Sequence, residues 1–481
     1  MVIFLMVIFP IIGSIFLSII NKGNSLYIKI VPVLVSGIVL VINIILLLRF
    51  NYEALEFQFT QQLLENIGLG LDGISIIFVS LTTFLFFICS IFALSNKFQN
   101  LQSFLALFLL LEALIICVFA SLNIIVFYIF FEAVLIPMFF IIGIWGYQDK
   151  VYAAFKLFLY TLVGSLLFLV AIIYIYVLTE GVTNIEQLSN ILPNKLTLNE
   201  QRWLWLAFFV SFAIKIPMIP FHTWLPDAHV QAPTIGSVIL AGILIKMGGY
   251  GFLRFSLPML PEASIYFSKL IIILSIVALI YTSLVAFAQK DIKKLIAYSS
   301  IAHMSFVTAG IFSFNQYGIL GSIFQMVSHG FISSALFLLV GIIYNKAHTL
   351  DIDKYSGLAS SMPKFSFMFI FFSMASIGIP GTSGFIGEFL SILGIFKNLS
   401  FISAFFVIGV ILSAVYMLYL CRKIIWGQDN NCIVGDITKI ELVLLSLLAM
   451  FVVILGLCPS ILLNYLELPV KQLLIENFLM S

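Results

Sequence analysis

Residues 203–230 read WLWLAFFVSFAIKIPMIPFHTWLPDAHV. The run is apolar enough for a membrane, but too long for one plain crossing, and Pro217 and Pro220 interrupt it beside Lys215. A helix crosses ~30 Å of hydrocarbon with about 20 apolar residues. Proline within it removes an amide donor and crowds the carbonyl one turn earlier, so free backbone oxygens are expected around Ala213 and Ile216. Non-helical backbone at membrane depth persists only inside protein or against water. A charge there costs a few kcal/mol and usually marks an ion path. A broken helix beside a buried lysine therefore points to transport.

The rest of the chain agrees. Of 481 residues, 62% are hydrophobic and only 9% charged, where a soluble domain carries about 25% charged. Fifty Phe residues and a mean hydropathy of +1.20 exceed what one water-soluble core could bury. A net charge of +2 offers no field for polyanions. Soluble enzymes, disordered chains and nucleic-acid partners are excluded. The cysteines Cys89, Cys117, Cys421, Cys432 and Cys458 contain no CxxC pair, so buried thiols are expected rather than disulfides, zinc or iron–sulfur ligands. No Gly-rich nucleotide loop occurs. The first residues open straight into an apolar run, read as a retained span rather than a cleaved signal. Richness in Ile, Phe, Asn and Lys suggests an AT-rich genome, either bacterial or organellar.

The fold class expected is an all-α membrane protein of about fourteen transmembrane helices. The stretches lie near 2–20, 28–49, 72–94, 101–121, 123–144, 151–178, 203–230, 233–255, 264–288, 293–312, 318–345, 365–396, 400–421 and 441–464. With both termini outside, the inner side carries about twice as many basic residues as the outer, as positive-inside orientation requires. Lys290, Lys293 and Lys294 count among these inner anchors.

The chain also resembles itself. Ser165–Tyr174 and Ala335–Tyr344 agree at six of ten positions, and each copy precedes an Ile-x-Ile-Pro step, at Ile214–Pro217 and Ile377–Pro380. An odd number of spans separates the copies, so they face opposite ways. Inverted repeats with matching broken helices are a transporter architecture. The expected organisation is a three-helix segment (1–100), a first five-helix repeat (101–256), an inverted second repeat (257–425) and a C-terminal loop and span (426–481). Spans seven and twelve are the broken ones.

Ionisable residues recur at depth: Glu132 in span five, Lys215 in seven, Lys246 in eight, His303 in ten, His329 in eleven and Glu388 in twelve. Burial disfavours the charged form of each and a neighbouring opposite charge restores it. Glu132 beside Lys215 would thus hold the lysine protonated, and separating them would send its proton to Lys246, then through His303 or His329 to Glu388. Histidine suits the middle because one ring nitrogen can accept while the other donates. Plainer readings stand alongside: structural ion pairs, a snorkelling Lys246, or satisfied core histidines. Glu112 in span four is an ambiguous acid. His222, Asp227 and His229 near the inner end of span seven form either a proton inlet or an interfacial cap.

Several runs carry a family resemblance: Phe131-Glu132 with Ile136-Pro137-Met138, Ala213–Pro217, Phe221–His229, Ala232-Pro233-Thr234 and Leu295–Ser305. The chain resembles the antiporter-like membrane subunits of respiratory complex I, the proton-translocating NADH:ubiquinone oxidoreductase, most strongly over spans four to thirteen. Two of three paralogues, like several Mrp-type cation/proton antiporters, end the row in lysine. Gly384–Phe389 ends it in Glu388, similar to the remaining paralogue. The resemblance implies that Glu132 modulates Lys215, Lys246 is the central relay, His303 and His329 connect, and Glu388 ends the path. It further implies a subunit of a redox enzyme with no catalytic, cofactor or metal site of its own. NADH, FMN, iron–sulfur clusters and ubiquinone would be handled by partner subunits. Partners would be other membrane-arm subunits, including paralogous antiporter-like ones, and lipid. The alternative is a subunit of a Mrp-type antiporter.

Overall fold

The computed structural model describes residues 2–20, 25–64, 67–95, 100–428, 435–475 and 478; Cys432 lies outside the described residues. Helix dominates because, in hydrocarbon, each backbone N–H and C=O must find a partner within its own segment. The chain begins with α1 (Val2–Ile19) and α2 (Ser25–Arg49), then a two-stranded antiparallel hairpin, β1 (Gln58–Leu64) and β2 (Ile67–Leu71). The all-helical expectation did not foresee this hairpin, whose few residues carry no long periodic signal. Asp72 caps α3 (Gly73–Ala93) by accepting from the Ser75 amide, and α4 (Leu101–Ala120) packs on α1 and α2.

Span five is divided at Val134 into α5 (Ile124–Ala133) and α6 (Leu135–Trp145), three residues before Pro137, whose ring cannot sit comfortably against the carbonyl one turn back. After α7 (Lys150–Leu178) and the amphipathic α8 (Ile185–Lys195), α9 (Leu198–Lys215) ends at the expected break and α10 (Trp224–Gln231) resumes. The Ala213 carbonyl is not left free, contrary to expectation. The chain turns back beyond Pro217, so the Met218 amide donates to Ala213 at 2.8 Å and Trp224 Nε1 donates to Ile214 at 2.9 Å.

Span eight runs through α11 (Thr234–Ile239), a π-turn at Leu240–Leu244, α12 (Lys246–Gly251), a second π-turn at Phe252–Ser256 and α13 (Leu257–Met259). There follow α14 (Pro261–Phe287), α15 (Ile292–Ile311), α16 (Gln316–Ala347) and α17 (Leu358–Ser361). The second broken helix is α18 (Pro363–Ile377) with α19 (Ser383–Asn398), and α20 (Ser400–Ile425), α21 (Lys439–Leu457) and α22 (Ser460–Leu474) complete the chain.

Among the described residues, eleven helical segments are long and apolar enough to cross a membrane. They match eleven of the expected stretches. The other three, 203–230, 293–312 and 365–396, are helical but broken or too polar to qualify, and they carry Lys215, His303 and Glu388. The central stretches of span eight and α16 are wholly buried, whereas only about a third of the residues in the apolar stretches of α1, α2, α20 and α21 are. Outward positions such as Leu34, Val41, Ile411 and Val443 are large and apolar, as a lipid-facing belt requires. The polar row lies behind that belt.

Candidate functional site

Lys246 sits between the two π-turns of span eight. A π-turn adds a residue to the helical turn and disturbs the usual hydrogen-bond ladder, and such turns gather at functional sites. The Lys246 ammonium, with no solvent exposure, donates to the Ala241 carbonyl inside the first π-turn. It also meets His329 Nδ1 of α16 at 2.8 Å. With lysine as donor, His329 accepts on Nδ1 and carries its own proton on Nε2.

From His329 the row continues by contact. Its ring centroid lies 5.7 Å from that of His303 on α15. His303 Nδ1 donates to Glu388 Oε1 at 2.9 Å, which leaves Nε2 to accept from Ser376 Oγ at 3.2 Å in the neutral ring. Gln325 Nε2 donates to the same carboxylate oxygen at 3.3 Å. Glu388 lies on α19, one turn past the span-twelve break, packed against α16 and α15. Gly378 in that break adopts φ +80, and a Cβ there would approach Glu388 Oε2 to 3.1 Å. Glycine supplies both the left-handed backbone and the space for the carboxylate. Where the sequence left the histidine order open, the geometry places His329 next to Lys246 and His303 next to Glu388.

The other end is looser. Lys215, the last residue of α9, holds its ammonium 4.5 Å from the Phe131 ring centroid, a cation–π placement that partly replaces lost hydration. Glu132 follows Phe131 on α5, and its charge and that of Lys215 act on each other. They form no ion pair within 4.0 Å, and Glu132 Oε1 has no hydrogen-bond partner in the protein. The two charges act on each other through space rather than through a direct pair. α12 reaches α9 closely because Gly248 has no side chain: a Cβ there would lie 2.5 Å from the Phe212 carbonyl.

The three inlet candidates are separated. Asp227 pairs with Lys156 of α7 at 2.6 Å, both partly exposed. His222 lies edge-on to Tyr281. His229 is fully buried, its ring parallel to Phe337 of α16 at 4.6 Å. Glu112 stands apart from the row: its Oε2 accepts from Ser36 Oγ of α2 at 2.7 Å, and no charge of the row acts on it. Toward the C-terminal end of span eight, Arg254 in the second π-turn pairs with Asp72 at 2.6 Å. Burial pushes the Asp72 carboxyl up, but the Arg254 guanidinium and the hydrogen bonds from Ser75 together hold the group below its usual value. Among the described residues no three His, Cys, Asp or Glu converge as metal ligands.

Sequence reasoning missed Gln325 and Ser376, the polar partners of the terminal acid and its histidine. One signal existed for Gln325, which lies one turn before His329; Ser376 lies just before the Gly378 break. It also missed the π-turns, for which periodicity gives no sign.

A family model described as NADH:quinone oxidoreductase/Mrp antiporter, transmembrane, matches residues 121–413. NADH-quinone oxidoreductase subunit M of Rickettsia bellii is 50% identical over 459 residues, covering 93% of this chain and 92% of that protein. A chain in the structure of respiratory complex I from Thermus thermophilus with bound NADH superposes with a TM-score of 0.90 at 30% identity, covering 99% of each. A chain of the Mrp complex from Dietzia sp. DQ12-45-1b shares the fold, with a TM-score of 0.87 at 20% identity over 98% of this chain and 97% of that one.

Proposed function

The chain belongs to the NADH:quinone oxidoreductase/Mrp antiporter membrane family, in the subunit M line, and from that premise we propose that it carries protons across the membrane as part of a proton-pumping NADH:quinone oxidoreductase. Glu132, Lys215, Lys246, His329, His303 and Glu388 would form the relay, within two inverted repeats spanning 101–256 and 257–425. The observation that carries this reading is the Lys246–His329 contact at 2.8 Å continuing to His303 and Glu388. It puts exchangeable protons within a few ångströms of each other where lipid-facing helices would have none.

Oxidation of NADH and reduction of quinone, through FMN and iron–sulfur clusters in partner subunits, would supply the energy. This chain's own residues would move the protons. Glu132 stabilises the charge on Lys215 through the protein interior; weakening that attraction favours release. Lys246 accepts on its amine and passes a proton to His329 Nδ1, whose Nε2 proton leaves toward His303. His303 gives its Nδ1 proton to Glu388. Each proton moved against 100 mV stores ~2.3 kcal/mol, so the ordering of these steps must be driven from outside the chain.

The test is Lys215→Ala in the assembled, liposome-reconstituted complex. The expected result is a proton-to-electron ratio and quinone-linked turnover reduced together with assembly intact; unchanged values for both would refute the relay. The Mrp-type alternative is weaker because the row ends in Glu388 rather than lysine. A purified complex lacking flavin and iron–sulfur clusters would favour it.

A further inference from the structure

Both ring nitrogens of His303 are taken by partners other than His329. Nδ1 donates to Glu388 Oε1 and Nε2 accepts from Ser376 Oγ. The His329 ring stands 5.7 Å away, centroid to centroid, tilted by 54°, and among the described residues no hydrogen bond joins the two imidazoles. A proton that His303 gives up from Nδ1 is therefore replaced most directly at Nε2, through Ser376. That hydroxyl belongs to the last turn of α18, so the question is what lies along α18 behind it.

Ser366 and Ser373 share a face of α18 with Ser376, about two turns and about one turn before it. Both are buried, and neither hydroxyl has a hydrogen-bond partner in the protein. Buried helical serines elsewhere in this chain bond back to a carbonyl of the preceding turn, as Ser299, Ser300 and Ser391 do. An independent orphan faces the same region from α20, which packs on α18 and runs the other way. Ser373 neighbours Cys421 of α20. Tyr416, five residues earlier and so about 7 Å nearer the break, is completely buried with its hydroxyl unpartnered. The Glu388 charge acts on it. A Cβ on Gly378, which caps α18, would come within 3.1 Å of Glu388 Oε2, so that oxygen lies at the same end of the helix. The other end of α18 lies on the inner side in the orientation that the basic residues favour. There the half-buried Asp436 accepts from the Lys364 and Phe365 amides at 2.7 and 3.1 Å, and Ser361 Oγ beside it is again unpartnered. Buried hydroxyls left unpaired are costly, and such groups usually bond ordered water. Here they follow one another from the inner loop to His303.

We propose that this face of α18 is a second inner proton path, in which water held by Ser366, Ser373 and Tyr416 delivers protons through Ser376 to His303 Nε2 and on to Glu388. This rests on the relay reading above and gives its last step a source of its own. Charge arriving at His329 drives release by His303, and the α18 path refills the ring, so loss of either stops the cycle. Each hydroxyl and each water accepts one proton and gives one. One proton enters at the inner surface for each that leaves Glu388, and no other bond changes.

The experiment uses the complete reconstituted complex. Tyr416→Phe and Ser376→Ala should each lower quinone-linked proton translocation by at least about tenfold, the scale of a lost proton-transfer group. Electron flow to an artificial acceptor that bypasses quinone should be unchanged. Tyr416→Phe also separates a carrier from a structural group: its hydroxyl makes no bond within the protein, so thermal stability of the complex should not fall with pumping. Full pumping by either variant, or a loss that merely follows lost stability, would overturn the proposal. Lys246→Met is the control for the relay itself. If it pumps normally the relay reading falls. If it stops pumping while Tyr416→Phe and Ser376→Ala pump normally, only the α18 path falls. Should these two variants fail to assemble, a water map of the unaltered complex decides. Ordered water running from Ser366 past Ser373 to Tyr416 supports the path; a dry face, or water that opens only to the outer side, overturns it.

Discussion

Between Lys246 and Glu388 polar side chains lie close together, through a 2.8 Å lysine–histidine contact, two tilted imidazoles 5.7 Å apart and a 2.9 Å histidine–carboxylate bond. Between Glu132 and Lys215 they do not: the lysine lies over an aromatic face and one carboxylate oxygen has no partner. The difference separates two kinds of coupling. A hydrogen bond weakens steeply with distance and angle. Coulomb attraction falls only inversely, from about 4 kcal/mol at 4 Å to about 2 kcal/mol at 8 Å for an effective dielectric near 20. Under the proposed relay, the Glu388 end would pass protons between neighbouring side chains, and the Glu132 end would bias a neighbour through space.

Lys246 joins the two regimes, so its loss is expected to have the largest effect. Lys246→Met should reduce proton translocation by about 100-fold or more in a complex that still assembles, because methionine fills a similar volume. Translocation measured in liposomes within about twofold of the parent would mean that the contacts from His329 onward carry no protons. Shortening the acids by one methylene sharpens the contrast. Glu388→Asp pulls the carboxylate away from His303 and Gln325, and should cost about tenfold, nearly as much as Glu388→Gln. Glu132→Asp keeps the charge at slightly longer range and should cost about twofold, whereas Glu132→Gln should cost about tenfold. Equal sensitivity of both ends to shortening, read as initial proton-uptake rates, would erase the distinction.

The sequence made the breaks legible because proline acts locally: Pro217 and Pro220 stop α9 wherever the chain goes next. The deep charges were legible for a similar reason, since an ion inside an apolar run stands out without any tertiary knowledge. What escaped depends on partners distant in sequence. Lys293 follows Lys290 and precedes Lys294, and reads like them as a solvated anchor; only the approach of Tyr147 and the Ala232 carbonyl buries it. The sequence places Glu132 and Lys215 as neighbouring charges, but the order of spans sets no distance between their side chains. The π-turns around Lys246 were equally hidden, as an extra residue per turn leaves an all-apolar sequence looking the same.

Glu112 provides the smallest expected effect and the sharpest check on the long-range half of the comparison. It is as buried as Lys246, and its one recorded partner is a neutral hydroxyl, Ser36 Oγ at 2.7 Å, on the N-terminal helices. If influence through space reached any buried acid, removing this charge would disturb the row as removing Glu132 does. If it needs a lysine on the neighbouring element, as Glu132 has in Lys215, then Glu112→Gln should leave proton translocation within about twofold of the parent, because glutamine can still accept from Ser36. A loss matching that of Glu132→Gln, in a complex of unchanged assembly, would extend the relay into α4 and make the carboxylate over Ser36 a part of the path.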